Sequence, residues 1–242
     1  GDFGKNNSAE DQTENLFQLI RLLDTLNIPL RFRISSIEPN LLTVEIISFV
    51  AQTEKFVPHF HIPLQSGSDK ILGLMQRRYR SELYSARVKK IKSLMPHACI
   101  GCDVIVGFPG ETQEDFLETY QFINSLDISY LHVFTYSERP DTAAISFDGM
   151  VSITERRKRN RMLRILSDKK LKKFYRENEG RAVNVLWETE SQNGMMSGYS
   201  ENYLRVKIPY DAELVNTVTS MEFSSGQDNR VNRKEEELKI GN

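Results

Sequence analysis

Residues able to do chemistry gather at a few places in this 242-residue chain. The first is Asp103–Glu111, read as Asp-Val-Ile-Val-Gly-Phe-Pro-Gly-Glu. Val104, Ile105 and Val106 make a short apolar run, suited to a strand buried on both faces of a parallel sheet. Gly107 ends the run and Pro109-Gly110 forces a tight loop. Two of its positions lack a Cβ, so a ligand can approach the backbone closely. Without a ligand, the same residues make an ordinary βα turn. Cys99 and Cys102, the only cysteines, have the Cys-x-x-Cys spacing of redox and metal motifs. They fall at the start of the Asp103 strand rather than at a helix start, and no second pair completes a zinc site. Small buried hydrophobes are their expected role, and no metal-ligand set is expected in the chain. Finally, Arg156, Arg157, Lys158, Arg159, Arg161 and Arg164, then Lys169, Lys170, Lys172 and Lys173, crowd one stretch. That stretch is either a solvated charged face or a polyanion-binding one.

The elements that must position these groups alternate between strand and helix. Ser8 and Asp11 read as caps of a helix carrying Leu16, Leu19, Ile20, Leu23 and Leu26. Strands are expected at Arg31–Ser36, His59–Gln65, the Asp103 run and Tyr130–Tyr136. Between them lie helices over Thr43–Gln52, around Tyr84, Val88, Ile91 and Met95, and after the Thr112/Asp115 capping pair. This order is that of a (β/α) barrel or doubly wound sheet. Four strands are too few to close a barrel, and the first residue is Gly1, so the chain reads as a piece of a longer protein.

From Thr154 the basic residues are interleaved with Met162, Leu163, Leu166, Leu171 and Phe174, which keeps the stretch helical although the phase slips near Ser167-Asp168. Beyond Gly180 the period changes to that of short strands: Val183–Trp187, Met195–Tyr199, Tyr203–Ile208 and Val215–Phe223, with Asn193-Gly194 as a hairpin turn. A small all-β barrel is expected there, an architecture common among RNA-binding appendages. The organisation is therefore 1–152, a partial α/β barrel; 153–179, a basic linking helix; 180–223, the β-module; and 224–242, a polar tail without expected order. The net charge of −1 gives no global attraction to nucleic acid. No run approaches the ~18 apolar residues needed to span a bilayer.

Five segments in order carry a resemblance. They are Arg33–Pro39 (Arg-Ile-Ser-Ser-Ile-Glu-Pro), His59–Ser68 (His-Phe-His-Ile-Pro-Leu-Gln-Ser-Gly-Ser), Met75–Tyr79 (Met-Gln-Arg-Arg-Tyr), Asp103–Thr112, and His132–Thr142 (His-Val-Phe-Thr-Tyr-Ser-Glu-Arg-Pro-Asp-Thr). Together the chain resembles the radical S-adenosylmethionine methylthiotransferases from Gly1 to about Phe223, most closely their MtaB-type branch, with the β-module similar to a TRAM domain. The resemblance implies the later part of a radical SAM (β/α) barrel followed by a TRAM-like barrel. It implies S-adenosylmethionine and two 4Fe-4S clusters in the full-length protein, and a methylthio group installed at C2 of threonylcarbamoyladenosine beside the tRNA anticodon. A tRNA anticodon stem-loop, an electron donor and a cytoplasmic, membrane-free setting are implied as partners and place. Ser36, Glu38, Gln65 and Ser66 would approach the ribose and methionine ends of the cofactor, and Ile105, Gly107, Pro109, Phe134 and Tyr136 its adenine. Arg139 would lie at the substrate mouth, with Arg157, Arg161 and Lys173 on the tRNA side. Tyr136 could equally be core, and Arg139 could pair with Glu138 or Asp141.

The chain also departs from the family, because the Cys-x3-Cys-x2-Cys triad of the radical cluster and the auxiliary cysteines are not in it. The chain alone is therefore expected to be inactive. Methylthiotransfer to isopentenyladenosine or to a ribosomal protein, a non-catalytic RNA-binding module, and a phosphate-gripping aldolase-like barrel using Gly107–Gly110 stand as rival readings.

Overall fold

The computed structural model describes residues 15–140 and 142–225 and, of 190–192, the backbone alone. Helix α1 spans Leu16–Thr25. Its cap is Asn15, whose Oδ1 accepts from Gln18 N–H while Gln18 Oε1 accepts from Asn15 N–H. Ser8 and Asp11, expected as caps, lie outside the described residues. Strand β1 (Phe32–Ile34), α2 (Val44–Val50, capped by Thr43), β2 (Phe56–His61), α3 (Asp69–Leu74) and α4 (Ser81–Leu94) follow. Next come β3 (Cys99–Val106), α5 (Gln113–Ser125) and β4 (Tyr130–Thr135). The Thr112/Asp115 box expected from sequence caps α5. Helix α3 has no counterpart among the expected elements: six residues are too few to show a period.

The strands form one parallel sheet in the order β1-β2-β3-β4, the pattern that helical crossovers produce. Register pairs Phe60 with Ile100, Cys102 with Leu131 and Val104 with Val133. These residues, with Ile62 and Val106, face the helices in a continuous core with Ile46, Ile47, Tyr84, Ile91, Phe116 and Leu163. Alternate positions therefore line the helix-free face: Arg33, His59, His61, Asp103, Ile105, Tyr130, His132 and Phe134.

Helix α6, Ile153–Glu177, is unbroken. Its buried stripe is Arg156, Arg159, Leu163, Leu166, Lys170 and Phe174, spaced at helical period. The slip expected near Ser167 has a physical reason. The Ser167 hydroxyl accepts from Leu131 N–H at 2.8 Å and donates to Leu131 C=O at 3.2 Å. Asn160 likewise donates to Val133 C=O. A polar residue on the inner face here satisfies the otherwise unpaired edge of β4.

Four antiparallel strands follow: β5 (Ala182–Gln192), β6 (Met195–Ser200), β7 (Arg205–Pro209) and β8 (Val218–Glu222), in the order β7-β6-β5-β8. Asn193 and Gly194 both take positive φ, the two-residue turn expected from their types. Trp187, Val185, Met196, Val206 and Phe223 form a second core, joined by Phe174 of α6 and Cys99 of β3. No β7–β8 pairing closes the sheet into a ring among the described residues. Of the expected polar tail, Ser225 N–H is held by the Glu179 carboxylate; 226–242 lie outside the described residues.

The module sits on the amino-terminal end of the parallel sheet. Fully buried Asn202 donates to His97 C=O and to Asn178 Oδ1, and Arg31 donates to Asn184 C=O. Tyr203 packs against His59, tilted, at 4.4 Å between ring centroids and lies under the Arg33 guanidinium. The carboxyl-terminal strand ends are left on the opposite side.

Candidate functional site

At those carboxyl-terminal ends, backbone hydrogen bonds tie the expected residues together. Gln65 takes φ of 71° and continues the ladder beyond β2: its N–H donates to Asp103 C=O and its C=O accepts from Ile105 N–H. Ile105 and Phe134 are register partners on the helix-free face, and the Phe134 ring is 51% exposed. They form an apolar shelf. Ser36 is exposed at the end of β1, and Glu38 lies 3.6 Å from Arg77. Tyr136 N–H donates to Val106 C=O, and its ring lies against the Arg156 guanidinium and the Phe108 edge. The Tyr136 hydroxyl is buried with no hydrogen-bond partner, which marks a place where a polar ligand atom is wanted.

Other expected residues are placed elsewhere. Ser66 is buried, its hydroxyl 3.1 Å from Thr119 Oγ1 and accepting from Ser68 N–H, so it pins the loop to α5. Pro109 is buried. Gly107, at φ 76°, lies under Arg156, where an added Cβ would stand 2.3 Å from Arg156 Cγ. Its N–H donates to Glu111 Oε1, and the N–H groups of Gly110 and Glu111 are bonded to Gly149 and Phe108 carbonyls. Three of the loop's amides are thus already bonded within the chain and turned away from any phosphate. Arg139 is exposed; Glu138, a partner expected for it, is instead bonded to Arg156 at 2.7 Å, and Asp141 lies outside the described residues.

Two arginines of the basic stretch therefore belong to the interior. Arg159 donates to Glu111 Oε1 at 2.5 Å, both side chains almost wholly buried. Burial pushes the Glu111 carboxyl up from its ordinary value, with Gly107 N–H and Arg159 opposing. Arg156 donates to Val151 and Tyr136 carbonyls as well as to Glu138. Arg157 and Arg161 are exposed, whereas Lys173 is tied to Asp127 at 3.2 Å and Glu177 at 3.3 Å. The signal that separates these groups was available in the sequence: 156, 159, 163, 166 and 170 fall on one helical stripe with two leucines.

The helix-free face holds a polar cluster that the sequence motifs do not reveal. His61 Nε2 lies 2.8 Å from Asp103 Oδ1, and His132 Nδ1 lies 3.4 Å from the same oxygen. Tyr130 Oη is 3.3 Å from His61 Nδ1 and 3.2 Å from His59 Nε2. Burial, with Arg33 and His61 nearby, pushes His59 down to about 3, so it is neutral. The three strands lie far apart in sequence. The only local hint was polar residues recurring at every second position in otherwise apolar strands.

Compared with known proteins, residues 4–123 match the Radical SAM superfamily. Over 222 residues the chain is 36% identical to "Threonylcarbamoyladenosine tRNA methylthiotransferase MtaB" of Bacillus subtilis, covering 89% of this chain and 49% of the relative. The MtaB of Aquifex aeolicus is 38% identical over 197 residues, 81% of this chain and 47% of that one. The chain belongs to the radical SAM methylthiotransferase family. It spans about half the length of the curated relatives it matches. The family also includes a "tRNA-2-methylthio-N(6)-dimethylallyladenosine synthase" of Bacillus subtilis, 33% identical over 220 residues, 90% of this chain and 43% of that relative. The fold alone is shared with coproporphyrinogen III oxidase (HemN) of Escherichia coli, a radical SAM enzyme, at TM-score 0.53 and 15% identity, covering 82% of this chain and 57% of that one.

Radical SAM membership implies S-adenosylmethionine and an iron–sulfur cluster. The residues of this chain do not fit a cluster. Cys99 and Cys102 are three apart on β3, so their thiols point to opposite faces, one into each core. Burial pushes both up to about 12, away from the thiolate that iron needs. S-adenosylmethionine is compatible with the residues present: the exposed apolar shelf of Ile105 and Phe134 suits a flat ring, and the Tyr136 hydroxyl beyond β4 is without a hydrogen-bond partner.

Proposed function

We propose that this chain is the cofactor-orienting and tRNA-binding portion of a methylthiotransferase acting at C2 of N6-threonylcarbamoyladenosine in tRNA. The observation that carries the reading is the match of more than four-fifths of the chain to two proteins named MtaB. In this reading residues 1–152 are a partial barrel, 153–179 a helix facing tRNA, and 180–223 a TRAM-like module. S-adenosylmethionine, when bound, supplies the radical chemistry and the methyl group; the cluster ligands belong to other parts of the protein. The chain's own residues orient and shield. Ile105 and Phe134 take the adenine face, Gln65 and Tyr136 offer hydrogen bonds, and Ser36 and Glu38 stand at the ribose and methionine end. Tyr203, packed against His59, covers part of the amino-terminal end of the sheet.

The choice of threonylcarbamoyladenosine has a physical side. Its carboxylate wants a cation in a partly dry pocket, whereas an isopentenyl group wants only apolar walls. Arg139 stands beyond β4 with its neighbour Glu138 already committed to Arg156. Nucleoside mass spectrometry of tRNA from cells with and without the gene tests the reading. The methylthio mark should vanish from threonylcarbamoyladenosine alone; loss from isopentenyladenosine instead removes both the substrate and the role of Arg139.

A further inference from the structure

We propose that His61, Asp103 and His132 form a binding site for one divalent first-row transition-metal ion, of which Zn2+ is the simplest occupant. The proposal is independent of the methylthiotransferase reading, because its test reads metal uptake by the chain itself. Each residue offers one ligand atom, and the three atoms lie within 4.8 Å of one another. Around a tetrahedral ion with bonds of roughly 2.0–2.1 Å, ligand atoms stand about 3.3 Å apart. The observed 2.8 and 3.4 Å separations bracket that value, so small side-chain rotations admit an ion. Two imidazoles and a carboxylate with the remaining positions open suit zinc or ferrous iron rather than magnesium or calcium.

The surroundings are built for these ligands. Gly101, between His61 and Tyr130 in the sheet, has no room for a side chain: a Cβ would stand 2.3 Å from Tyr130 Cζ and 2.7 Å from His61 Nδ1. The gap lets the His61 ring cross β3 and turn Nε2 to Asp103. A metal-bound imidazole needs an acceptor for its other N–H. For His61 that acceptor is Tyr130 Oη, whose own O–H can donate to His59 Nε2. The buried Nδ1 of His59, which has no partner, ends this chain of hydrogen bonds. On the other side the site is open. The His132 side chain is 56% exposed, and the shelf of Ile105 and Phe134 lies two residues further along the strands of Asp103 and His132.

The experiment strips the 242-residue protein with a chelator, then titrates Co2+ by visible absorption and Zn2+ by calorimetry. One equivalent of each should bind, and Zn2+ should raise the melting temperature. His132→Ala, at an exposed position, and His61→Gln should each weaken binding at least tenfold and abolish the thermal shift; Tyr130→Phe should weaken it tenfold or more. Circular dichroism checks that the variants remain folded. The Co2+ spectrum should lack sulfur-to-metal charge-transfer bands. Uptake that is not saturable, uptake unchanged in both histidine variants, or thiolate bands that disappear in Cys102→Ala would each overturn the assignment.

Discussion

Arg156 and Arg159 lie on the inner face of α6, and Arg157 and Arg161, at neighbouring positions, lie on its outer face. The inner pair reach into the loop after β3. Arg159 meets Glu111, which in turn holds Gly107 N–H, and Arg156 covers Gly107 and binds the chain beyond β4. The outer pair meet solvent. One residue type thus takes two places within two turns: tied into the strand-end loop, and exposed to solvent. Burial separates them: the buried guanidinium groups each meet a carboxylate, Glu111 for Arg159 and Glu138 for Arg156, as a charge out of water requires.

The sharpest way to break this contrast is to remove one inner partner. Arg159→Ala leaves a carboxylate with almost no solvent access, and Glu111→Ala leaves a buried guanidinium and an orphaned Gly107 N–H. Each should cost about 3–5 kcal/mol, read from the urea midpoint. Replacing both by apolar residues of similar size should cost much less than the two single changes summed. Additive losses would mean that the pair is not the clasp of the loop.

A second, smaller effect sits lower on the same face. Lys170 is buried, donates to the Leu126 and Asn124 carbonyls that end α5, and is pushed down to about 8 by burial. In the unfolded chain it stays protonated up to its ordinary 10.5. Between those values the unfolded state binds more protons, so stability rises with pH by at most roughly 1.4 kcal/mol per unit. Below about 8 both states carry the proton and the contribution is flat. Lys170→Met should remove that rise from the pH profile of the melting temperature, whereas Lys169→Met, outside, should leave it in place. Identical profiles for all three proteins would show that Lys170 is solvated after all.

How much of this was legible follows the range of the signals. The Asp103–Asp115 unit was readable because its apolar run, glycines and capping box are local, and the Asn193-Gly194 hairpin for the same reason. At the start of α1, Ser8 and Asp11 look like caps where Asn15 and Gln18 make the cap, since several polar residues compete there. The shelf of Ile105 and Phe134 was legible only through the family resemblance, as register between β3 and β4 cannot be read from either strand. The cluster of His61, Asp103 and His132 was invisible, because it needs three strands and the gap at Gly101 to come together. Composition misplaces the inner arginines: ten cations in one stretch look like one surface, although the helical period already sets Arg156, Arg159 and Lys170 beside Leu163 and Leu166.

The smallest change in stability, and the most specific for function, is expected on the outer face. Arg157→Glu and Arg161→Glu remove exposed groups, so the urea midpoint should shift by no more than about 0.5 kcal/mol. Affinity for tRNA should fall nonetheless. For every phosphate that an arginine no longer neutralises, the slope of log affinity against log salt should fall by roughly 0.7–0.9. Lys173 is the internal control. Its ammonium is already paired with Asp127 and Glu177, so Lys173→Glu should change the slope less than either arginine while lowering stability slightly. The inner arginines cannot serve as such controls, because their removal unfolds the loop and would lower tRNA binding indirectly. If reversing both outer arginines leaves affinity and salt slope unchanged in a protein of unaltered stability, the outer face of α6 is a solvated surface. The β-module would then have to supply the tRNA-binding surface, and the division of labour across the helix would reduce to its inner half.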